Sequence, residues 1–296
     1  HTKVEVLEQE ADLFEAYYYR KKIPGKDDAI LGRLQAIAER GRQEKRVYIT
    51  ARAINVIAMI YWFRYQNYEL GFEYFQQLEK LLETITQQQF PFMANCYYDI
   101  GRAFYIFKDY DKALYYLKKS SAVPETTFNG RIHCAADNMI GLSYQALSRL
   151  DSSDLYFNKA LRSNYISKGK IYYSIILGNI GHNFYLKKDY TKAIPLLQQD
   201  MNRAIEEGRK GLAVGSATTL ANIYLEQGKP EKVKPLIDSI FSFIRASGQW
   251  ERLKLVYPVV SRYYAAIGDL RQSDQYLDSA LSYNDCMSRK FTSLQL

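Results

Sequence analysis

Small and large apolar residues recur along this chain with a phase that returns every forty positions. Within IGRAFYIFKDYDKALYYLKKS (100–120), Gly101 is followed three positions on by Phe104. Ala113 stands twelve positions after the glycine, with Tyr110 before it and Leu117 behind it. The polar pair Lys108-Asp109 separates the two periodic stretches. The pattern predicts two amphipathic helices that turn at that pair and cross where Gly101 meets Ala113. Helix axes packed about 8–10 Å apart leave room only for a small side chain at the crossing.

Forty residues on, the same phases hold Gly141, Tyr144, Leu150, Ser153, Phe157 and Ala160. A further step gives Gly181, Phe184, Tyr190, Ala193 and Leu197, and the next gives Ala221, Tyr224, Pro230, Val233 and Ile237. The last gives Ser261, Tyr264, Leu270, Ser273, Leu277 and Ala280. Towards the N-terminus the fit loosens to Met59, Trp62, Tyr68, Gly71, Phe75 and Leu78. Asp, Gly and Pro stand at the turns inside the repeats, as in Lys188-Asp189, Gly228-Lys229-Pro230 and Gly268-Asp269, where they stop one helix and start the next. Pro230 falls at a helix start, where a missing N–H is tolerated, whereas Pro195 and Pro258 lie inside helical patterns and are expected to perturb them. No stretch alternates as a strand does. The chain reads as all-α.

The spacing resembles the tetratricopeptide (TPR) repeat, whose usual period is about 34 residues. The resemblance implies a right-handed α-α superhelix of about seven helix pairs in one domain over residues 1–296. Residues 1–45 form a divergent N-terminal pair with its turn near Pro24-Gly25, and 46–281 form the repeats. Residues 282–296 are expected to form a C-terminal helix, with Met287, Phe291 and Leu294 on one face, leading to a missing segment. A solenoid normally ends in a polar cap, and this ending lacks one.

Composition changes little in that picture. The chain has 296 residues, 47% of them hydrophobic, with 27 tyrosines, many of them at repeat positions. The net charge of +8 is scattered through Arg20-Lys21-Lys22, residues 40–46 and Lys118-Lys119, which fits solvated helix ends. Direct nucleic-acid binding is not expected. Three cysteines, Cys96, Cys134 and Cys286, make no CxxC and leave the redox compartment open. No apolar run is long enough to cross a membrane.

Chemistry is sparse. His133, Cys134 and Cys96 lack zinc-type spacing, and His182 follows a crossing glycine. Phosphate-cradling, nucleophile-elbow and zinc-helix motifs are absent. The expectation is no metal, no cofactor and no catalysis in this segment.

The TPR resemblance implies that the first helix of each repeat lines a concave groove. Its phases hold Tyr98, Arg102, Tyr105, Asn138, Gln145, Asn179, His182, Tyr185, Thr218, Asn222 and Arg262. Asn and Arg side chains can bond a peptide backbone or a terminal carboxylate in a fixed fork, and tyrosines add rigid amphipathic area. The carboxylate clamp of the peptide-binding family members is not reproduced in full.

The long step, the tyrosine-rich helices and the ending YLDSALSYNDCMSRKFTSLQL resemble the sensory TPR region of Bacteroides-type membrane regulators. That implies a periplasmic, non-catalytic sensor region of an inner-membrane signalling protein, with a histidine kinase or DNA-binding output elsewhere. It would bind a peptide, a glycan fragment or a partner protein, contact a second copy through its last helix, and meet the membrane only through a missing segment. Two other readings are a free-standing scaffold or adaptor, and a peptide-pheromone receptor of a cytoplasmic transcription regulator.

Overall fold

The structure is a computed structural model that describes residues 8, 10–15, 27–88, 90–125, 129–163, 165–166 and 170–292. Among these, all regular structure is helical. The main helices are α1 (Asp27–Gln43), α2 (Val47–Ile60), α3 (Tyr68–Leu82), α4 (Met93–Ile106), α5 (Tyr110–Ala122) and α6 (Gly130–Ala146). They continue as α7 (Leu150–Leu161), α8 (Lys170–Leu186), α9 (Tyr190–Glu206), α10 (Lys210–Glu226), α11 (Val233–Ser247), α12 (Leu253–Ala266) and α13 (Leu270–Thr292). The chain divides into two compact units, residues 1–139 and 140–296.

In the first unit α1 packs on α2, α2 on α3, and α4 on α5. A Cβ added to Gly101 would lie 2.7 Å from Cγ of Leu117. The glycine is therefore where α4 and α5 approach most closely. The side chain that fills its space is Leu117, one helical turn beyond the predicted partner Ala113; both are fully buried. The second unit repeats the arrangement: a Cβ on Gly141 would fall 2.5 Å from the Phe157 ring, and one on Gly181 would fall 3.0 Å from Cγ of Leu197. Ile237 is buried at the same phase, whereas Leu277 on α13 is 46% exposed.

The turn inside each repeat is as regular as the crossing. Lys108 in the first unit, and Ser148, Lys188, Gly228 and Gly268 in the second, all have φ between 58° and 84°. The N–H of the next residue donates back to the carbonyl of the repeat aromatic: Asp109 to Phe104, Arg149 to Tyr144, Asp189 to Phe184, Lys229 to Tyr224 and Asp269 to Tyr264, at 2.9–3.1 Å. This left-handed closure satisfies carbonyls that the end of a helix leaves bare. Asp109, Asp189 and Asp269 then cap the following helix, each accepting from the backbone N–H three residues on, as short acidic side chains do.

The N-terminal repeat loosens for a specific reason. After α2 the chain makes a π-helical turn over Tyr61–Tyr65, which places an extra residue before the left-handed position, here Gln66. Asn67 N–H donates to Tyr61 six residues back, where the other repeats span five. A Cβ on Gly71 would lie 3.1 Å from Cε3 of Trp62 and 3.6 Å from the carbonyl of Ala58, and Ala58 is fully buried while Met59 is only half-buried. The crossing residue is Ala58, not Met59. Trp62 is buried within a cluster of Tyr68, Phe72, Phe75 and Phe107 rings, with centroids 4.8–5.8 Å away.

Pro195 and Pro258 both sit inside assigned helices, α9 and α12, which run through them. The expected helix pair at the N-terminus is described only for residues 8 and 10–15 and for α1, and its turn near Pro24 lies outside the described residues. At the other end the backbone of α13 runs unbroken from Leu270 to Thr292, so no break separates the last repeat from a further helix. The side chains of Met287 and Phe291, and all of Leu294, lie outside the described residues.

Candidate functional site: a bonded face on the second unit

Two consecutive helices of a repeat bury their small residues against each other, so the first helix turns its next phases towards the neighbouring repeats. In the first unit α4 carries Tyr98, Arg102 and Tyr105, all half-buried. The Arg102 guanidinium stands 4.2 Å from the centroid of the Phe63 ring. Tyr105 packs on Tyr110 with centroids 5.6 Å apart, and burial pushes its hydroxyl up to about 12. Asn138, on α6, is buried.

The other predicted residues come together in the second unit, where α8 packs beside α10 and α10 beside α12. They bond across successive first helices. Gln145 Nε2 donates to Asn183 Oδ1 at 2.7 Å and lies 3.4 Å from the Asn179 carbonyl. His182 Nδ1 lies 3.1 Å from Thr219 Oγ. Tyr185 donates its hydroxyl to Glu226 at 2.8 Å, and Arg262 Nη1 donates to Asn222 Oδ1 at 2.9 Å. Thr218 faces its own helix instead, with its buried hydroxyl on the Val214 carbonyl at 2.7 Å.

His182 and Thr219 are matched to each other. Thr219 Oγ also lies 3.1 Å from the Gly215 carbonyl, to which its hydroxyl donates; the tautomer that satisfies both contacts donates from His182 Nδ1 and keeps a lone pair on Nε2. Burial lowers the imidazole below its ordinary pKa of 6.5, which favours this neutral tautomer. Arg262 is exposed and uses one of five donors on Asn222, while the Asn222 amide NH2 can still donate. The face thus offers fixed donors and an acceptor to an extended polar chain.

Two central participants, Asn183 and Glu226, were not among the residues singled out from the sequence. Asn183 is buried to 1% exposure and donates to Ser153 Oγ at 2.9 Å and to Asp154 at 2.6 Å. Glu226 accepts from Tyr185, from Lys188 at 2.8 Å and from Tyr190. Desolvation pushes that carboxyl up, but the bonds from Lys188, Tyr190 and Tyr185 hold it down at about 2. The available signal for Asn183 was a polar residue at a phase where Ala103 and Ile223 are fully buried. Glu226 had no such signal.

Among the described residues no group of three His, Cys, Asp or Glu side chains is placed to hold a metal ion, and no helix is long and apolar enough to cross a membrane.

No protein-family model matches this chain, and no curated protein does. Solved structures do match. The apo form of RapI is similar with a TM-score of 0.74 at 14% identity, covering 95% of this chain and 99% of that one. A Rap protein complexed with competence and sporulation factor has a TM-score of 0.68 at 18% identity, covering 98% and 82%. The Rap conjugation gene regulator of the plasmid pLS20, in complex with the Phr* peptide, has a TM-score of 0.61 at 15% identity, covering 84% and 77%. At these identities the likeness establishes the fold, a TPR-like helical-repeat array. It also corrects one expectation. These three structures, which share the fold over 84–98% of the chain, are Rap proteins, one of them a gene regulator, and none is described as a periplasmic sensor region of a membrane protein. The periplasmic placement is withdrawn.

Proposed function

We propose that this chain is the non-catalytic, peptide-binding part of a regulator, with a short extended peptide lying along the face formed by α8, α10 and α12. This is the peptide-receptor reading, offered by the sequence as an alternative to a membrane sensor, and its cytoplasmic setting goes with it. The observation that carries it is the set of side-chain bonds between successive first helices, above all Arg262 to Asn222. A peptide backbone presents the same donors and acceptors as those side chains, so it can exchange with them without leaving either unsatisfied. Two Rap structures of this fold are described as complexes, with competence and sporulation factor and with the Phr* peptide, which supports the same class of ligand. The exchange supplies a route to signalling, because a ligand that parts Arg262 from Asn222 binds one inter-repeat arrangement in preference to another.

The test is selection from a pool of synthetic pentapeptides: incubation with the protein, separation by size, and mass spectrometry of what is retained. Retention by the wild type but not by Arg262→Ala is expected. A retained set identical for the two proteins would remove the face from consideration. The adaptor reading is favoured if no pentapeptide is retained at all.

A further inference from the structure

The first unit holds a cavity of about 340 Å³ between α2 and α4. Ligand sites span roughly 300–1,000 Å³, so this one has room for a single side chain rather than a run of residues. Its lining is apolar on one side, where Val56 stands with Phe14 and Phe92. Both phenylalanines are exposed. An occupant that covered their rings would remove apolar surface from water.

The charged groups of the lining are engaged within the protein. Arg52 donates to Glu10 at 2.5 Å and to Tyr48 at 3.2 Å. Asp99 accepts from Asn55 Nδ2 at 3.0 Å and has further partners. A charged occupant would therefore lose its hydration without gaining a counter-ion, which disfavours it. An acceptor, by contrast, is left unmet: Asn55 Oδ1 is buried without a hydrogen-bond partner. The bond from Nδ2 to Asp99 fixes which end of that amide is the oxygen, and a neutral N–H group would complete it. The Arg52 guanidinium lies 4.3 Å from the centroid of the Phe92 ring. A guanidinium in an aromatic wall attracts ring faces, that of indole above others.

We propose that this cavity is a second binding site, taking the indole ring of a tryptophan side chain carried by a peptide. The indole N–H gives its one hydrogen to Asn55 Oδ1, while the ring covers Val56, Phe14 and Phe92 beside the Arg52 guanidinium. A phenylalanine brings the ring without the donor. The site stands apart from the peptide face on the second unit and does not rest on it.

The experiment titrates the whole chain with two capped tripeptides, read by ligand-observed NMR. One is acetyl-Gly-Trp-Gly-amide, and the other carries 2-naphthylalanine in place of tryptophan, which keeps a bicyclic ring and removes the N–H. The tryptophan peptide is expected to bind about tenfold more tightly, the worth of one hydrogen bond to a buried acceptor. Asn55→Leu should bring the two to equality. Phe14→Ala, at an exposed position, should weaken both peptides and keep the preference. Equal binding of the two peptides to the wild type, or no binding of either, would overturn the proposal. So would a preference that survives Asn55→Leu, or binding that Phe14→Ala leaves untouched, because either places the tryptophan elsewhere on the chain. Should Asn55→Leu fail to fold, the wild-type preference and its response to Phe14→Ala decide.

Discussion

Arg262 donates to Asn222 across one full forty-residue period, at 2.9 Å. Both residues were candidates for ligand contact, and the structure shows that they contact each other. Arg262→Ala and Asn222→Ala are each expected to weaken peptide retention about tenfold, and to couple, since either one removes the shared bond. An exposed bond of this kind adds roughly 0–1 kcal/mol to stability, so melting temperatures should hardly move. Calorimetric titration with a retained pentapeptide, and thermal melts of the same proteins, check this; unchanged affinity with unchanged melting would refute the assignment.

Gly101 is fixed by Leu117. Gly101→Leu has no space to enter, and neither has Ala113→Leu beside it; each should destabilise by about 1–3 kcal/mol through overpacking. Gly141→Ala carries a sharper demand, because even one methyl would sit 2.5 Å from the Phe157 ring. Urea denaturation measures all three. Unaltered midpoints would mean that the repeat register is wrong.

Asp200 supplies a pH dependence. It is buried on α9, Ser216 donates to its Oδ2 at 2.6 Å, and its Oδ1 has no partner. Burial raises its carboxyl from 3.8 to about 6, despite bonds from Ser216 and Ser174 that pull it down. The folded state therefore keeps a proton between those values that the unfolded chain releases. Stability from this group falls as pH rises from about 4 to 6 and then levels off. Asp200→Asn removes that slope, so the variant should gain on the wild type by on the order of 2–3 kcal/mol between pH 4 and pH 8. Denaturation midpoints of both proteins across that range give the answer, and parallel curves would contradict it.

The left-handed turn residues allow a test in the opposite direction. A non-glycine residue there costs about 1–2 kcal/mol, so Gly228→Ala should lower stability, whereas Lys108→Gly should be neutral or raise the melting temperature. Differential scanning of the two variants settles it. A loss with Lys108→Gly would show that the lysine side chain contributes more than its backbone costs.

The helices and turns from Gly101 onward were legible because one crossing and one turn recur in fixed phase, and glycine, aspartate and the repeat aromatics announce both. The repeat at Trp62 was not, since a π turn adds its residue without any marker in YWFRY and shifts the crossing to Ala58. The candidate residues could be placed on the first helices from the sequence, but not paired with one another. Tyr185 and Glu226, or Arg262 and Asn222, stand 41 and 40 residues apart, and their pairing depends on how far apart two packed helices lie. Asn183 shows the same limit from inside, as a polar residue at a buried phase that ties Gln145 to Asp154.

The closure of the intra-repeat turn has an evolutionary corollary. From Lys108 to Gly268 its length never varies, and where the turn at Tyr61–Tyr65 holds one residue more the crossing has moved to Ala58, so a residue gained or lost there shifts the small residue that the crossing needs. Insertions are absorbed at less cost between repeats, where Pro124 and Ser163 already lie in connections of unequal length. New binding specificities in such a chain are therefore gained by substitution on the first helices or by duplication of whole periods, and seldom by lengthening a hairpin.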